Sequence, residues 1–341
     1  MNRNRALRFA RLFPALLALL ALSGWSRAAR ADDAGVVVKA TDADEPVKKS
    51  ADRTGEVKEI GLRITNVAKI DVLKETWEFE ALLTIAGTSH IRKCALGPIQ
   101  ELFPDGIVKK VDETGEWEDG GKQYRQCKVT VDHESTINVA RYPFDEHQLE
   151  VTVGDEGDAA EGVEWKVLAD PDATGISDKV KLTGWEFGGL SSSQQLYDHL
   201  HSKKKLTRVV FELHASRPRA SSFIKGFLGV LFQLLIALVA LVLSVKAAPN
   251  RIALATGALI AVATAHNQIS SQVGVSYLTT ADKFFFVSYF LLLANILFTA
   301  FMLRADEAKN EARAKMLYST AWLVLPALTV VLSALVLSGV L

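Results

Sequence analysis

Two cysteines, seven histidines and one acidic stretch are the residues whose types could do chemistry in this chain. Catalysis needs a nucleophile beside a base, or metal ligands at a fixed spacing. Neither pattern occurs: there is no glycine-rich phosphate loop, no His-x-x-x-His pair and no Gly-x-Ser-x-Gly turn. His199 and His201 are the one close histidine pair, and beside Lys203–Lys205 they read as a solvated loop. Asp155, Glu156, Asp158, Glu161 and Glu164 carry enough charge for Ca²⁺ but lack a loop pattern that fixes its ligands. The expectation is a protein that is not an enzyme, with no metal and no cofactor. Cys94 and Cys127 pair only if their strands are neighbours, which the sequence leaves open; two separate buried thiols is the other reading.

A different pattern stands out between Arg251 and Ser271 (RIALATGALIAVATAHNQISS). Ala253, Gly257, Ile260, Thr264, Asn267 and Ser271 follow helical steps of four and three, so they form one stripe. The stripe runs from small to apolar to polar. Small residues let helices pack closely, which accounts for Ala and Gly but not for the polar end. Several copies around an axis would make a tube, narrow and apolar near Ile260 and wider toward Asn267. A hydrophobic constriction of that kind gates by dewetting.

The elements that must position this stripe follow from composition. Residues 1–31 carry six Arg and no acid, then the apolar run PALLALLAL and the small residues Ala29 and Ala31, which together read as a signal peptide. Residues 32–55 read as a flexible polar leader. Residues 56–219 hold short alternating runs (VKEIGLRITNV, TWEFEALLTI, CKVTVD, QLEVTV, VEWKVL, TRVVFELHA) separated by turn residues, as in a β-sandwich or barrel. Residues 220–341 hold four helical spans at about 223–245, 251–271, 282–303 and 316–341. The short basic links at Lys246–Arg251 and Arg304–Lys315 fall on the cytoplasmic side by the positive-inside rule, with the β domain and the C-terminus outside. The second span carries His266, Asn267, Gln268, Ser270 and Ser271, polar groups that are costly to bury in lipid.

Arg141–Leu149 (RYPFDEHQL) resembles the Pro-Phe-Asp loop of the pentameric ligand-gated ion channels, the Cys-loop receptor superfamily. The two cysteines that usually bracket this loop are replaced by Ser135 and Leu149, as in prokaryotic members, and His147 stands where Gln is common. Ala247–Arg251 (AAPNR) is similar to the entrance of the second helix in anion-selective members such as glycine receptors. Val275–Asp282 (VSYLTTAD) looks like the loop between the second and third helices, Ile70-Asp71 like the turn after the first strand, and Arg217 like the residue closing the last strand. Gly229 replaces a Pro common in the first helix, and the Pro expected before residues 275–282 is missing. The likeness extends in order over residues 56–341.

The resemblance implies an immunoglobulin-like all-β extracellular sandwich followed by an all-α four-helix membrane domain. It implies a homopentamer in the inner membrane of a bacterium, its partners being four identical subunits, lipid and permeant ions, with no nucleic acid. Arg251, Ala253, Gly257, Ile260, Thr264, Asn267 and Ser271 would line the pore, with Ile260 as gate. Asp71, Tyr142, Pro143, Phe144, Asp145, Arg217, Tyr277 and Asp282 would couple sandwich to pore, with Asp145 and Arg217 paired. An agonist, a small molecule or a proton, would bind near Asp155, Glu156, Tyr197 and His199; Trp165 and Trp185 read as sandwich core. Arg251 at the inner mouth leans the selectivity to anions. Residues 32–220 carry 35 acids against 25 bases, a net of −10, which pulls toward cations. That field is screened over about 8 Å, so the narrow mouth counts for more. The competing readings are a cation-selective member and a membrane-anchored sensor that does not conduct.

Overall fold

The computed structural model describes residues 56–88, 91–155, 163–198 and 205–338. The expected signal peptide and leader, with Glu156 and His199, lie outside the described residues. The chain divides into two units, and the segment Val139–Phe144 belongs with the helices while Asp145–Pro218 belongs with the strands.

Alternating β-branched and polar residues build the β unit, a sandwich of two sheets. In the larger sheet, β1 (Glu56–Asp71) pairs with β2 (Thr76–Gly87) in antiparallel register. A one-turn helix, α1 (Leu96–Gln100), precedes β3 (Gly106–Asp119) and β4 (Lys122–Glu134). The order is β3-β4-β2-β1-β6, with β6 (Val163–Val167) and the short β7 (Gly175–Ile176) both parallel to β1. The smaller sheet runs β5-β9-β8, from β5 (Glu146–Val153), β9 (Lys205–Ser216) and β8 (Glu186–Asp198). The central strands bury one side, as in Ile60, Leu62 and Ile64 of β1, or Leu149, Val151 and Val153 of β5. Trp165 is buried too, as expected of core. Cys94 and Cys127 are joined by a disulfide, which answers the open question of their pairing.

Three strands, the two-residue β7 among them, and α1 had no counterpart in the sequence patterns. β3 (GIVKKVDETGEWED) and β8 (EFGGLSSSQQLYD) are each the edge of a sheet. β3 exposes nearly all its side chains, so it carries no apolar alternation. Its charges also guard the open edge against stray pairing.

The helical unit holds α2 (Arg219–Val239), α3 (Ala248–Val273), α4 (Thr280–Glu307) and α5 (Glu311–Leu337). All four are long and apolar enough to cross a bilayer, so the protein is a multi-pass membrane protein. α4 packs against α2, α3 and α5. Phe227, Val262, Phe284 and Phe285 fill one end of the unit, and Leu241, Met302, Ala321 and Leu325 the other. Pro249 opens α3, and Gly274, at φ 64°, closes it in the left-handed conformation that an L side chain resists. α4 starts in a capping box, Thr279 accepting from the Asp282 amide while Asp282 accepts from that of Thr279.

Candidate functional site

At 100° per residue, Ala253, Gly257, Ile260, Thr264, Asn267 and Ser271 fall within an arc of about 80°. All six are exposed in the single chain, Ile260 by 63%. The buried residues Arg251, Ala255, Ala258 and Val262 take the opposite face. Only 17% of the most apolar stretch of α3 is buried, the least of the four spans, and it is also the least apolar of them. The other spans expose hydrocarbon: Phe232 and Ile236 on α2, Phe290 and Phe301 on α4, Leu323 and Val331 on α5. The outward face of α3 is the exception: beside Leu254 and Ile260 it offers small side chains, hydroxyls and amides.

Arg251 corrects the sequence expectation. It lies two residues before Ala253, which is about 200° around the helix, so it cannot share that face. Its side chain is 1% exposed. The guanidinium Nε donates to the Leu243 carbonyl at 3.1 Å and Nη2 to that of Leu241 at 2.7 Å, with the Tyr318 ring 5.7 Å away. α2 breaks into a 3₁₀ turn at Ala240–Val242, which frees these carbonyls. Arg251 therefore clasps the end of one span to the start of the next.

Within the helical unit the structure gathers Tyr142, Pro143, Phe144, Tyr277 and Asp282. The Tyr277 hydroxyl accepts from the Val139 amide at 3.0 Å. The Thr280 and Ala281 amides donate to the carbonyls of Ala140 and Tyr142 at 2.9 and 3.0 Å. The Tyr142–Pro143 peptide is cis, and Phe144 packs 5.8 Å from Phe227. The stretch Ala140–Tyr142, just before Pro143, thus meets two of the orphan amides that every helix N-terminus leaves, here at α4.

Within the β unit Asp145 and Arg217 do pair, as expected. Arg217 Nε donates to both carboxylate oxygens of Asp145, at 2.9 and 3.0 Å. The Asp145 side chain is 0% exposed. His147 Nε2 reaches its other side at 2.7 Å, and Arg217 lies 4.3 Å over the Trp185 ring. Trp185, expected as core, is half-buried beneath this guanidinium. Burial pushes the Asp145 carboxyl up, but the His147 hydrogen bond and the Arg217 charge outweigh it and hold it below the ordinary aspartate value. His147 was missed as a functional residue. The signal was there: residues 145, 147, 149, 151 and 153 share one face of β5, so the alternation runs back from Leu149 into Asp145 and His147. Asp71 stands apart, bonded to Lys69 at 2.6 Å and to the Lys74 amide.

Of the expected ligand residues, Asp155 and Tyr197 are brought together: the Tyr197 hydroxyl donates to the Asp155 carbonyl at 2.9 Å. The Asp155 carboxylate is buried and paired with Arg92. Burial raises it above the ordinary value, the charges of Arg92 and Lys58 only partly offsetting that. It is thus already spoken for and not free to receive an amine. Among the described residues no group of three His, Cys, Asp or Glu side chains is placed to hold a metal.

No protein-family model and no curated protein matches this chain.

Proposed function

We propose that the chain is one subunit of a homopentameric ligand-gated ion channel of the Cys-loop receptor superfamily, in which five copies of α3 face each other around water. One observation carries the reading: apart from Leu254 and Ile260, the outward face of α3 is small and polar, while every other span turns hydrocarbon outward. Lipid would leave the Asn267 amide unsatisfied and offer the Thr264 and Ser271 hydroxyls nothing beyond the Ile260 and Gln268 carbonyls of their own helix. A water-filled axis satisfies them. Ile260 then forms the hydrophobic gate, Thr264 and Asn267 the outer vestibule, and Ala253 and Gly257 the inner half. The Pro-Phe-Asp segment seated on the start of α4 supports a coupling role for Tyr142, Pro143 and Phe144, with Asp145 and Arg217 holding their side of the β unit.

Anion selectivity is the finer part of the proposal. With Arg251 turned inward, it rests on the exposed Lys246 just before α3 and on a pore face without acids. The agonist, a small molecule or a proton, acts on the sandwich near Tyr197. The location is the inner membrane of a bacterium, with the β unit outside.

The test is reconstitution of the full chain in a planar bilayer, with steps of pH and small amines applied to the outer side. Agonist-dependent currents are expected, with a reversal potential in a NaCl gradient displaced toward chloride. Ile260→Ser is expected to raise the open fraction without agonist. Silence under every condition, from protein that still assembles as a pentamer, leaves the non-conducting sensor. A reversal potential on the sodium side removes the anion part alone.

A further inference from the structure

On the side of α3 away from the stripe, Val262, His266, Ile269 and Val273 form a second row, apolar except for one imidazole. His266 Nε2 lies 3.0 Å from Asp282 Oδ1, and Nδ1 lies 3.0 Å from the Tyr289 hydroxyl. The ring stacks on Phe285 at 4.7 Å. His266 and Asp282 keep 16% and 15% of their side chains exposed, and both line a half-open cavity of about 180 Å³ with Ser270, Ser276, Tyr277 and Thr279. Asp282 is spent elsewhere too: its second oxygen accepts from the Thr279 amide and hydroxyl, both at 2.8 Å.

We propose that His266 is a proton-operated latch between α3 and α4, closed on Asp282 when the imidazole is protonated and looser when it is neutral. In the neutral ring Nε2–H donates to Asp282 and Nδ1 accepts from Tyr289, a tautomer assigned from these partners. Protonation at Nδ1 asks only that the Tyr289 hydroxyl turn, so that its oxygen accepts. The hydrogen bond to Asp282 then becomes a charge-assisted one, without any side chain leaving its place. The titratable groups facing the ring are Asp282 and Tyr289 from α4 and, across the cavity, Tyr277 from the preceding loop. None of them is a cation that would oppose the charge. The cavity gives the proton its route.

The latch stands on the helical unit alone. Its effect on opening rests on the channel reading, since α3 would also carry the gate. The test therefore reads the latch without current: amide hydrogen exchange of the outer two turns of α3, in the full chain in lipid nanodiscs, at about pH 5.5 and about pH 8, corrected for intrinsic rates. In the wild type, protection is expected to be about threefold higher in acid, the scale of one partly exposed ion pair. His266→Gln, which keeps an amide donor but cannot titrate, should abolish the ratio, and so should Asp282→Asn, which leaves a capping oxygen in place. Equal protection at both pH values in the wild type overturns the latch. So does a ratio that persists in either variant. A pH-dependent ratio in a protein that never conducts would keep the latch and sink the channel; currents with a flat ratio would do the reverse.

Discussion

In the β unit Asp145 meets His147 and Arg217 with none of its side chain left to solvent, and Asp155 meets Arg92. In the helical unit α3 turns Thr264, Asn267 and Ser271 outward, where no side chain among the described residues covers them and the two hydroxyls bond only to carbonyls of their own helix. The first arrangement is closed: each buried charge has its counter-charge within the fold, as burial demands. The second is complete only if something polar covers it. A unit that must hold its shape internalises its polar pairs, and a unit built for water or further copies leaves one face open. Arg251 is the instructive exception, a closed polar site on the inner side of the open helix.

The comparison breaks first at the clasp. Removing one partner of a buried pair costs about 3–5 kcal/mol, because the other is left buried and alone. Asp145→Ala should approach that figure and lower the thermal midpoint of the full chain. Arg217→Ala should cost at least as much, because the carboxylate it leaves behind is fully buried with only His147 beside it, whereas Asp145→Ala leaves an Arg217 that is 21% exposed. Asp145→Asn keeps the shape and one acceptor oxygen for Arg217 but removes the charge, and should fall between Asp145→Ala and the wild type. pH offers the same test without a mutation. The Asp145 carboxyl is held below its ordinary value in the fold, so its contribution is present above about pH 4 and is lost as pH falls through the folded value. If acid melting of Asp145→Asn matches that of the wild type, the clasp is not what closes this region.

Arg251 gives the next largest effect. As an internal clasp it donates charged hydrogen bonds to the Leu241 and Leu243 carbonyls, worth about 1.5–3 kcal/mol. Arg251→Gln should lower the thermal midpoint and leave the reversal potential of any current where it was. A side chain on the axis would give the opposite result, unchanged stability with altered selectivity. That outcome would return Arg251 to the stripe.

How much of this was legible depended on whether a residue's surroundings repeat along the chain. The core strands announced themselves because β1, β2, β4 and β5 alternate over a buried face, and the spans because hydrocarbon length suffices. The edge strand β3 did not, since a strand with solvent on nearly all its side chains needs no apolar period, and β8 did not because its inward positions include Ser192 as well as Leu190. The stripe on α3 was readable from spacing, yet Arg251 was wrongly joined to it because proximity in sequence is not proximity around a helix. The Cys94–Cys127 bond, the Arg92 partner of Asp155 and the Tyr289 partner of His266 were out of reach. Each joins segments far apart in the chain, and only the pairing of strands or the packing of helices fixes which meet.

The smallest expected effect is the most telling for the open face. Asn267 is exposed and, within one chain, carries little stability, so Asn267→Leu should change that of a dissociated chain by no more than about 0.5 kcal/mol. In lipid its sign separates the two readings of α3. If lipid covers the stripe, Leu replaces an amide that hydrocarbon does not solvate, and the variant should be stabilised and otherwise unremarkable. If water fills an axis between copies, Leu adds a second apolar ring two turns outward of Ile260. Conductance should then fall, while the thermal midpoint stays within a degree or two of the wild type. A variant that gains stability in nanodiscs and conducts as before would show that the polar face of α3 never looked onto water.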